Sequence, residues 1–270
     1  MTWLANIVGI IATIVLVFPV YWLVTTAFKR GKDMQTYVPH FLPFPGTLQH
    51  FRDALHKPYF LHSLLNSAIV TFSVVVLAMF VAFFAAIAIA RTKFRGRKAY
   101  IVMIMGIQMI PQTALILPLY LLLVHGGLND KLIGLVVTYM TFILPFAVWT
   151  LRGFVVNVPK DLEDAAMIDG CSRVGAFMRV TFPLIAPGLV ATAIFSFIQA
   201  WNEYIYAYVL LQKANHQTVN VWLANFITSR GVDFGGLMAG ATIIAIPIVI
   251  FFLFVQKYVA TGLTAGAVKG

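Results

Sequence analysis

The chain has 270 residues, of which 61% are hydrophobic and only 10% are charged, and its formal net charge is +10. A soluble domain usually carries about 25% charged residues, so this chain cannot cover its surface against water and must expose much of it to lipid. Its basic residues are not interleaved with aromatic residues in any polar segment, which excludes a nucleic-acid-binding protein. They fit helix ends that face anionic lipid headgroups.

Six long apolar stretches predict an all-α membrane protein with six transmembrane helices. Each stretch can cross a hydrocarbon core about 30 Å thick at about 1.5 Å per residue. The predicted spans are residues 3–28, 67–90, 99–124, 132–151, 187–211 and 236–258. We expect one membrane domain over residues 1–270, with prolines such as Pro111 and Pro145 kinking the helices. The first stretch lacks the features of a cleaved signal peptide, so we expect it to be retained.

Basic residues between the second and third spans indicate the orientation. The tightest cluster lies in residues 91–98 and predicts that this loop is cytoplasmic. An even number of spans then places both termini in the cytoplasm. Lys29, Arg30 and Lys32 argue the other way, since they directly follow the first span and would lie outside. Charge alone leaves both orientations open.

The polar segment 158–186 carries a second pattern. Pro159 suits the first turn of a helix, and three acidic residues after it would face the positive end of the helix dipole. Small residues at helical spacing follow, so one face of the helix has short side chains and another surface can approach the helix backbone closely. Two interpretations fit these residues. The helix either lies on the membrane surface with its acids as caps, or it docks against a partner.

The same segment resembles the cytoplasmic coupling loop of ABC-importer permeases, whose signature is E-A-A-x-x-x-G-x9-I-x-L-P. The matching positions are Asp164, Ala165, Ala166, Gly170, Val180, Phe182 and Pro183. Asp replaces Glu, Val replaces Ile and Phe replaces Leu, and all three changes are conservative. Glu163 directly precedes the motif, so either carboxylate could supply the acidic role. By this resemblance, the residues that couple to an ATPase are Glu163, Asp164, Ala165, Ala166, Asp169 and Gly170.

Four further segments are similar to the carbohydrate-uptake branch of these permeases, in particular to the maltose-type second permease subunit. They are FPVYWLVTTAFK, LPLYLLLVHGGLND, WNEY and the tail GLTAGAVKG. The resemblance implies a type I ABC importer permease fold in the bacterial inner membrane, with cytoplasmic termini and a coupling helix at 160–172. It also implies four partners: a second related permease, two cytoplasmic ATPase subunits and an extracytoplasmic solute-binding protein. A sugar would be the substrate, moved by alternating access.

Glu203 is the acidic residue placed deepest in a predicted span. Such residues are costly in lipid and by default mark a pathway. With Trp201, Asn202 and Tyr204 it could form a polar, aromatic wall suited to sugar hydroxyls. The alternative is a position near the outer interface, where the aromatic residues would form part of the membrane belt.

The sequence lacks the motifs of several kinds of chemistry. There is no G-x-x-x-x-G-K-[ST] phosphate loop, so we expect ATP and Mg to bind only to partner subunits. No nucleophile motif or metal-binding histidine pattern occurs, and the single cysteine, Cys171, excludes an intrachain disulfide. We therefore expect no catalytic residue, metal or cofactor on this chain. The rival functions are an ion-gradient-driven secondary transporter and a membrane-embedded enzyme. A polyol or glycerol-phosphate-type cargo also stays open, as does a second permease that is a copy of this chain.

Overall fold

The computed structural model describes residues 2–267, and the side chains of residues 3–256. The side chains of the tail GLTAGAVKG lie outside this range. The longer helices are α1 (Thr2–Ala27), α4 (Phe60–Arg91), α5 (Arg97–Gln108), α6 (Ile116–His125), α7 (Leu132–Asn157), α10 (Phe182–Asn202) and α13 (Phe234–Ala267). The shorter elements are α2 (Gly31–Met34), α3 (Gln49–His56), α8 (Asp161–Ile168), α9 (Arg173–Ala176), α11 (Ile205–Leu210), α12 (Val219–Ala224) and a hairpin of β1 (Ile227–Thr228) and β2 (Gly231–Val232).

Within the described residues, five helices are long and apolar enough to cross a membrane, and a sixth crossing requires two helices that are bent at a break. The broken pair is Arg97–Gln108 with Gln112–His125, bent by 94°. The sequence predicted one kinked span over residues 99–124. The structure corrects this prediction, because two separate helices occupy the range. Pro111 explains the break, because it cannot donate to the helix ladder and it restricts the residue before it.

Other span boundaries also differ from the predictions; α7, for example, runs to Asn157 rather than to residue 151. The second span was predicted to begin at residue 67, but α4 begins at Phe60. Hydropathy did not include residues 60–66 because it counts Ser63 and Asn66 as polar, although both side chains are buried. The fifth span was predicted over 187–211, but the helix ends at Asn202 and a separate α11 follows.

Contacts divide the chain into two compact units where the sequence predicted one domain. The first comprises Met1–Leu64 and Val219–Val249, and the second comprises Leu65–Thr218 and Ile250–Gly270. Two of the three unit boundaries fall within the ranges of α4 and α13, and the third directly precedes α12. A single membrane domain therefore stays a prediction.

The second unit is built around α7, which packs mainly against α10 and α5. Ala78, Ala82 and Ala86 are fully buried on one face of α4, and small side chains at this spacing let membrane helices approach closely. Gly188 serves the same purpose on α10, since a side chain there would collide with the ring of Phe154.

The first unit is held together around Trp222 of α12. Its ring centroid lies 5.0 Å from that of Phe60 and 5.2 Å from that of Phe226. Its indole N–H donates to the Pro58 carbonyl (3.1 Å). The buried aromatic cluster therefore ties the start of α4 to the segment before the hairpin.

Candidate functional site

The segment that matches the coupling-loop signature folds as two short helices rather than one helix over 160–172. α8 ends in a left-handed turn at Gly170, whose φ is +91°. The Gly170 N–H donates to the Met167 carbonyl (3.1 Å), and the Cys171 N–H donates to the Ala166 carbonyl (3.0 Å). This pair of bonds is the Schellman motif, in which glycine is favoured because it has no Cβ. The signature glycine therefore terminates the helix, a role that the sequence reading had not given it.

The turn after Gly170 starts α9. The Ser172 hydroxyl accepts a hydrogen bond from the Gly175 N–H (3.1 Å) and so caps the N-terminus of this helix. A π-helical turn over Phe177–Thr181 then leads into α10. The segment from Asp161 to the membrane helix is thus helical except for the turn at residues 169–172.

The predicted coupling residues divide between two faces of α8. At about 100° per residue, positions 163, 166 and 167 point one way, and all three residues are half-buried. The opposite face is exposed, and Ile168 at its centre is 86% accessible. The exposed residues are Asp161, Leu162, Asp164, Ala165, Ile168 and Asp169. Asp164 and Ala165 are therefore available to a partner, whereas Glu163 and Ala166 face this chain.

Glu163 anchors α8 to the membrane helices. Its Oε1 lies 2.9 Å from Nη2 of Arg91 at the end of α4, and it accepts a hydrogen bond from the Thr181 hydroxyl (2.6 Å). The side chains of Arg91 and Glu163 are only 12% and 19% exposed. Arg91 Nη1 also donates to the Val158 carbonyl (3.0 Å), and Lys160 Nζ donates to the Arg91 carbonyl (3.2 Å). One arginine thus holds both the start of the loop and its first helix.

The sequence reading missed Arg91 as a site residue. It counted this arginine only as part of the basic cluster that indicates orientation. No local pattern links positions 91 and 163, because the pair forms only when α4 and α8 pack together. The pair borders a groove of about 400 Å³, lined also by Lys160, Asp164 and Arg173.

A second set of candidate functional residues lies where α10 ends. Glu203 adopts an extended conformation (φ −68°, ψ 132°), and its carboxylate caps the next helix, α11. Oε1 accepts the Tyr206 N–H (2.8 Å), while Oε2 accepts the Ala207 N–H (3.1 Å) and the Tyr139 hydroxyl (2.6 Å). A carboxylate at a helix N-terminus satisfies donors that have no partner within the helix. Glu203 therefore lies at the break between α10 and α11 rather than within a continuous helix.

The same network joins the breaks in two spans. The Tyr206 hydroxyl donates to the backbone carbonyl of Gln112 (2.6 Å), directly after the break at Pro111. The ring of Phe142 stacks on Tyr206, with centroids 5.9 Å apart and planes at 10°. The interrupted third and fifth spans are therefore fixed to each other at one place.

The predicted wall around Glu203 forms only in part. Asn202 and Tyr204 are exposed and line a cavity of about 380 Å³ together with Glu203, Gln112, Phe142 and Gln199. Trp201 needs a correction, because its ring is buried (3% exposed). It stacks on Phe197 with centroids 5.6 Å apart, and it is absent from the cavity wall.

Asp130, in the loop before α7, makes a contact that the sequence reading did not single out. Its Oδ1 accepts the backbone N–H groups of Gln212 (3.0 Å) and Lys213 (3.1 Å), and Lys213 Nζ lies 3.2 Å from Oδ2. Burial alone would raise the pKa of Asp130, but the hydrogen bonds and the ammonium of Lys213 outweigh it and lower the pKa below its usual value. This carboxylate staples the α6–α7 loop to the segment after α11.

Among the described residues, no three His, Cys, Asp or Glu side chains come together as metal ligands would. The first site consists of an ion pair between Glu163 and Arg91 with the Thr181 hydroxyl, and the second of the hydrogen-bonded Glu203 carboxylate with amides and aromatic rings. They can hold helices in place and contact polar surfaces or solutes.

The chain belongs to the family described as binding-protein-dependent transport system inner membrane component, whose profile matches residues 75–264. This confirms the resemblance to ABC-importer permeases. The chain is thus a multi-pass membrane component of a transporter rather than an enzyme, as the sequence predicted.

Individual relatives are similar over nearly the whole chain. The diacetylchitobiose uptake system permease protein DasC of Streptomyces coelicolor is 43% identical over 265 residues, which are 98% of this chain and 96% of the relative. The trehalose/maltose transport system permease protein MalG of Thermococcus litoralis is 34% identical over 270 residues, 97% and 95% of the two chains.

A solved structure supports the fold. A crystal structure of a bacterial ABC transporter involved in the import of the acidic polysaccharide alginate matches with a TM-score of 0.77 at 23% identity, covering 94% of each chain. The predicted helical permease fold is therefore confirmed, with five or six candidate membrane helices, the sixth being the broken third span.

Proposed function

We propose that this chain is a permease subunit of an ATP-driven importer that moves a sugar or related polyol across the bacterial inner membrane by alternating access. The observation that carries the proposal is the construction of α8. Its outer face is exposed and combines acidic residues with Leu162 and Ile168, whereas its inner face is locked to α4 through Glu163 and Arg91. The names of the relatives DasC and MalG support a sugar as cargo.

Coupling through α8 follows from its attachments. Arg91 joins it to the end of α4, and Thr181 joins it to the turn that leads into α10. A partner that moves α8 as a rigid body would therefore move the ends of two spans with it, which is how a two-state membrane element responds to an event elsewhere. The partners that would apply this force are two cytoplasmic ATPase subunits, on which ATP and Mg are bound.

The first span supports a second permease as a further partner. None of the most apolar stretch of α1 is buried within the described chain. Ala5, Gly9 and Thr13 lie one turn apart on one face of the helix, and Asn6 borders the same surface. Small residues and a polar side chain on one face are typical of membrane helix interfaces, since an amide facing lipid is costly. The family description supports a solute-binding protein as the component that delivers the sugar.

The Arg91–Glu163 pair also bears on orientation. It brings the signature loop to the same end of α4 as the basic residues 91–98. Because basic loops favour the cytoplasm, this contact supports a cytoplasmic coupling loop and, with six spans, cytoplasmic termini. Maleimide labelling of Cys171 tests whether the coupling loop is cytoplasmic. We expect labelling only after the cells are opened, and labelling from outside intact cells would overturn the proposal.

Uptake by membrane vesicles that carry the complete importer tests the function itself. We expect trehalose, maltose or diacetylchitobiose to accumulate when ATP is supplied inside, and to do so in the presence of ionophores. Accumulation driven by an ion gradient without ATP would instead support the secondary transporter. The structure disfavours that rival, because Glu203, its one candidate for ion coupling, is occupied in capping α11.

A further inference from the structure

The cavity at the break of the fifth span is lined by side-chain amides that no described residue satisfies. Gln112, Gln199 and Asn202 line it. Among the described residues, none of these three side chains has a hydrogen-bond partner, although the backbone carbonyl of Gln112 accepts from Tyr206. All three are exposed on the surface of the chain. In an otherwise apolar span, exposed amides avoid lipid and face a water-filled path, a polar solute or a neighbouring helix. The cavity beside these three amides favours the first two, because it leaves room for water or a solute.

The wall behind these amides is rigid. Gln112 is fixed at its backbone by the Tyr206 hydroxyl, and Asn202 directly precedes Glu203, whose carboxylate is held by three donors. Phe142 is stacked on Tyr206 and contributes an apolar surface. The amides therefore project from a preformed frame, which reduces the ordering cost of binding a solute.

The chemistry of the lining favours a neutral solute. Amides both donate and accept hydrogen bonds, as sugar hydroxyls do, and the aromatic rings of Phe142 and Tyr204 offer flat apolar surfaces to the C–H faces of a sugar ring. Among the described residues, no Lys, Arg or His lines the cavity, and the only charged group there is the carboxylate of Glu203. An anionic cargo would meet a like charge and no counter-charge. The volume of about 380 Å³ is in the range of small-molecule sites.

We infer that this cavity is a transit subsite for a neutral saccharide, in which Gln199, Asn202 and the side chain of Gln112 bind hydroxyl groups and Glu203 positions the wall without touching the sugar. The inference rests on the proposed function, and it goes further by assigning sugar contacts to this chain and by excluding glycerol-phosphate-type cargo. A smaller adjoining cavity shares Gln112, Phe142 and Gln199 and adds Gln108 and Thr141, so the polar lining extends beyond the subsite.

Protection from a thiol reagent tests the subsite directly. Cys171 is the only cysteine, so Cys171→Ser gives a background in which Gln199→Cys or Asn202→Cys is the single target. In vesicles carrying the complete importer, we expect the transported neutral disaccharide (trehalose, maltose or diacetylchitobiose) to slow maleimide labelling at both positions. Glycerol 3-phosphate at the same concentration should not slow it. Gln212→Cys, which is exposed in the loop after α11 and outside the cavity, serves as the control and should show no protection.

A second measurement asks whether the amides bind rather than merely lie nearby. Gln199→Met and Asn202→Leu keep the side-chain size and remove the hydrogen-bonding groups. Each should raise the trehalose concentration needed to protect the other position by about ten-fold, as expected for one lost hydrogen bond. Gln212→Met should leave it unchanged.

The outcomes separate this inference from the proposed function. If the vesicles take up sugar with ATP but the sugar protects neither position, or if glycerol 3-phosphate protects equally, the subsite is wrong and the permease stands. If sugar protects positions 199 and 202 but uptake does not depend on ATP, the subsite stands and the proposed function fails.

Discussion

Two glutamates mark the two candidate functional regions of the molecule, and they are held in different ways. Glu163 is paired with a charged side chain, Arg91, that belongs to a distant element. Glu203 accepts from a tyrosine hydroxyl and from two backbone N–H groups of the helix that follows it. The first arrangement joins a surface helix to a span, so it can transmit a movement. The second fixes the start of a local helix, so it can hold a cavity wall in place.

The largest effect is expected when the link between α4 and α8 is cut. Arg91→Met leaves Glu163 without its cation in a mostly buried site, and breaking such a pair costs about 3–5 kcal/mol. We expect ATP-driven uptake to fall more than ten-fold while the spans stay folded. Uptake per assembled complex and thermal unfolding in detergent measure the two quantities.

The matched control is Arg95→Met, which removes an exposed cation from the same basic segment and should leave uptake unchanged. The double variant Arg91→Met with Glu163→Met removes both charges and should recover assembly better than either single change. If Arg91→Met transports normally, the comparison between the two glutamates collapses, because the pair would then carry no coupling.

The next effect concerns Glu203. Glu203→Gln keeps the size of the side chain but brings an amide N–H₂ toward groups that are themselves donors. Hydrogen bonds to charged groups contribute about 1.5–3 kcal/mol, so we expect a lower unfolding temperature in detergent as well as slower uptake. Tyr139→Phe removes only one of the three donors and should have a smaller effect. Equal unfolding temperatures for wild type and Glu203→Gln would contradict a structural role.

A smaller effect is expected at the corner after α8. Gly170→Ala places a Cβ on a residue with φ of +91°, which costs about 1–2 kcal/mol, although no atom lies near enough to clash. We expect a moderate loss of coupling, seen as more ATP hydrolysed per sugar moved. Gly153→Ala on α7 also meets open space but has no positive φ, so it should be neutral or slightly stabilising. Gly170→Arg adds bulk to the same strain and should uncouple more strongly.

The sequence predicted the fold well because the fold depends on long apolar runs and on one signature loop. It placed the acidic helix and its glycine, and it marked Glu203 as unusual. It could not find Arg91, since that contact forms only in three dimensions. It could not foresee that Trp201 turns inward, because hydropathy does not distinguish the faces of an apolar helix. Pro111 predicts only a kink, because the sequence shows where a helical hydrogen bond is lost but not how far the chain bends there.

The smallest expected effect comes from Asp130, a third carboxylate that is held by two backbone donors and one lysine. Its pKa is lowered in the folded protein, so the ionised form is the one that stabilises the fold. This contribution is fully present above the ordinary pKa of 3.8 and is lost as the pH falls through the lower, folded value. The unfolding temperatures of wild type and Asp130→Asn should therefore differ at neutral pH and converge only in strong acid. A difference that has already disappeared at a mildly acidic pH, well above 3.8, would contradict a stabilising role for the ionised carboxylate.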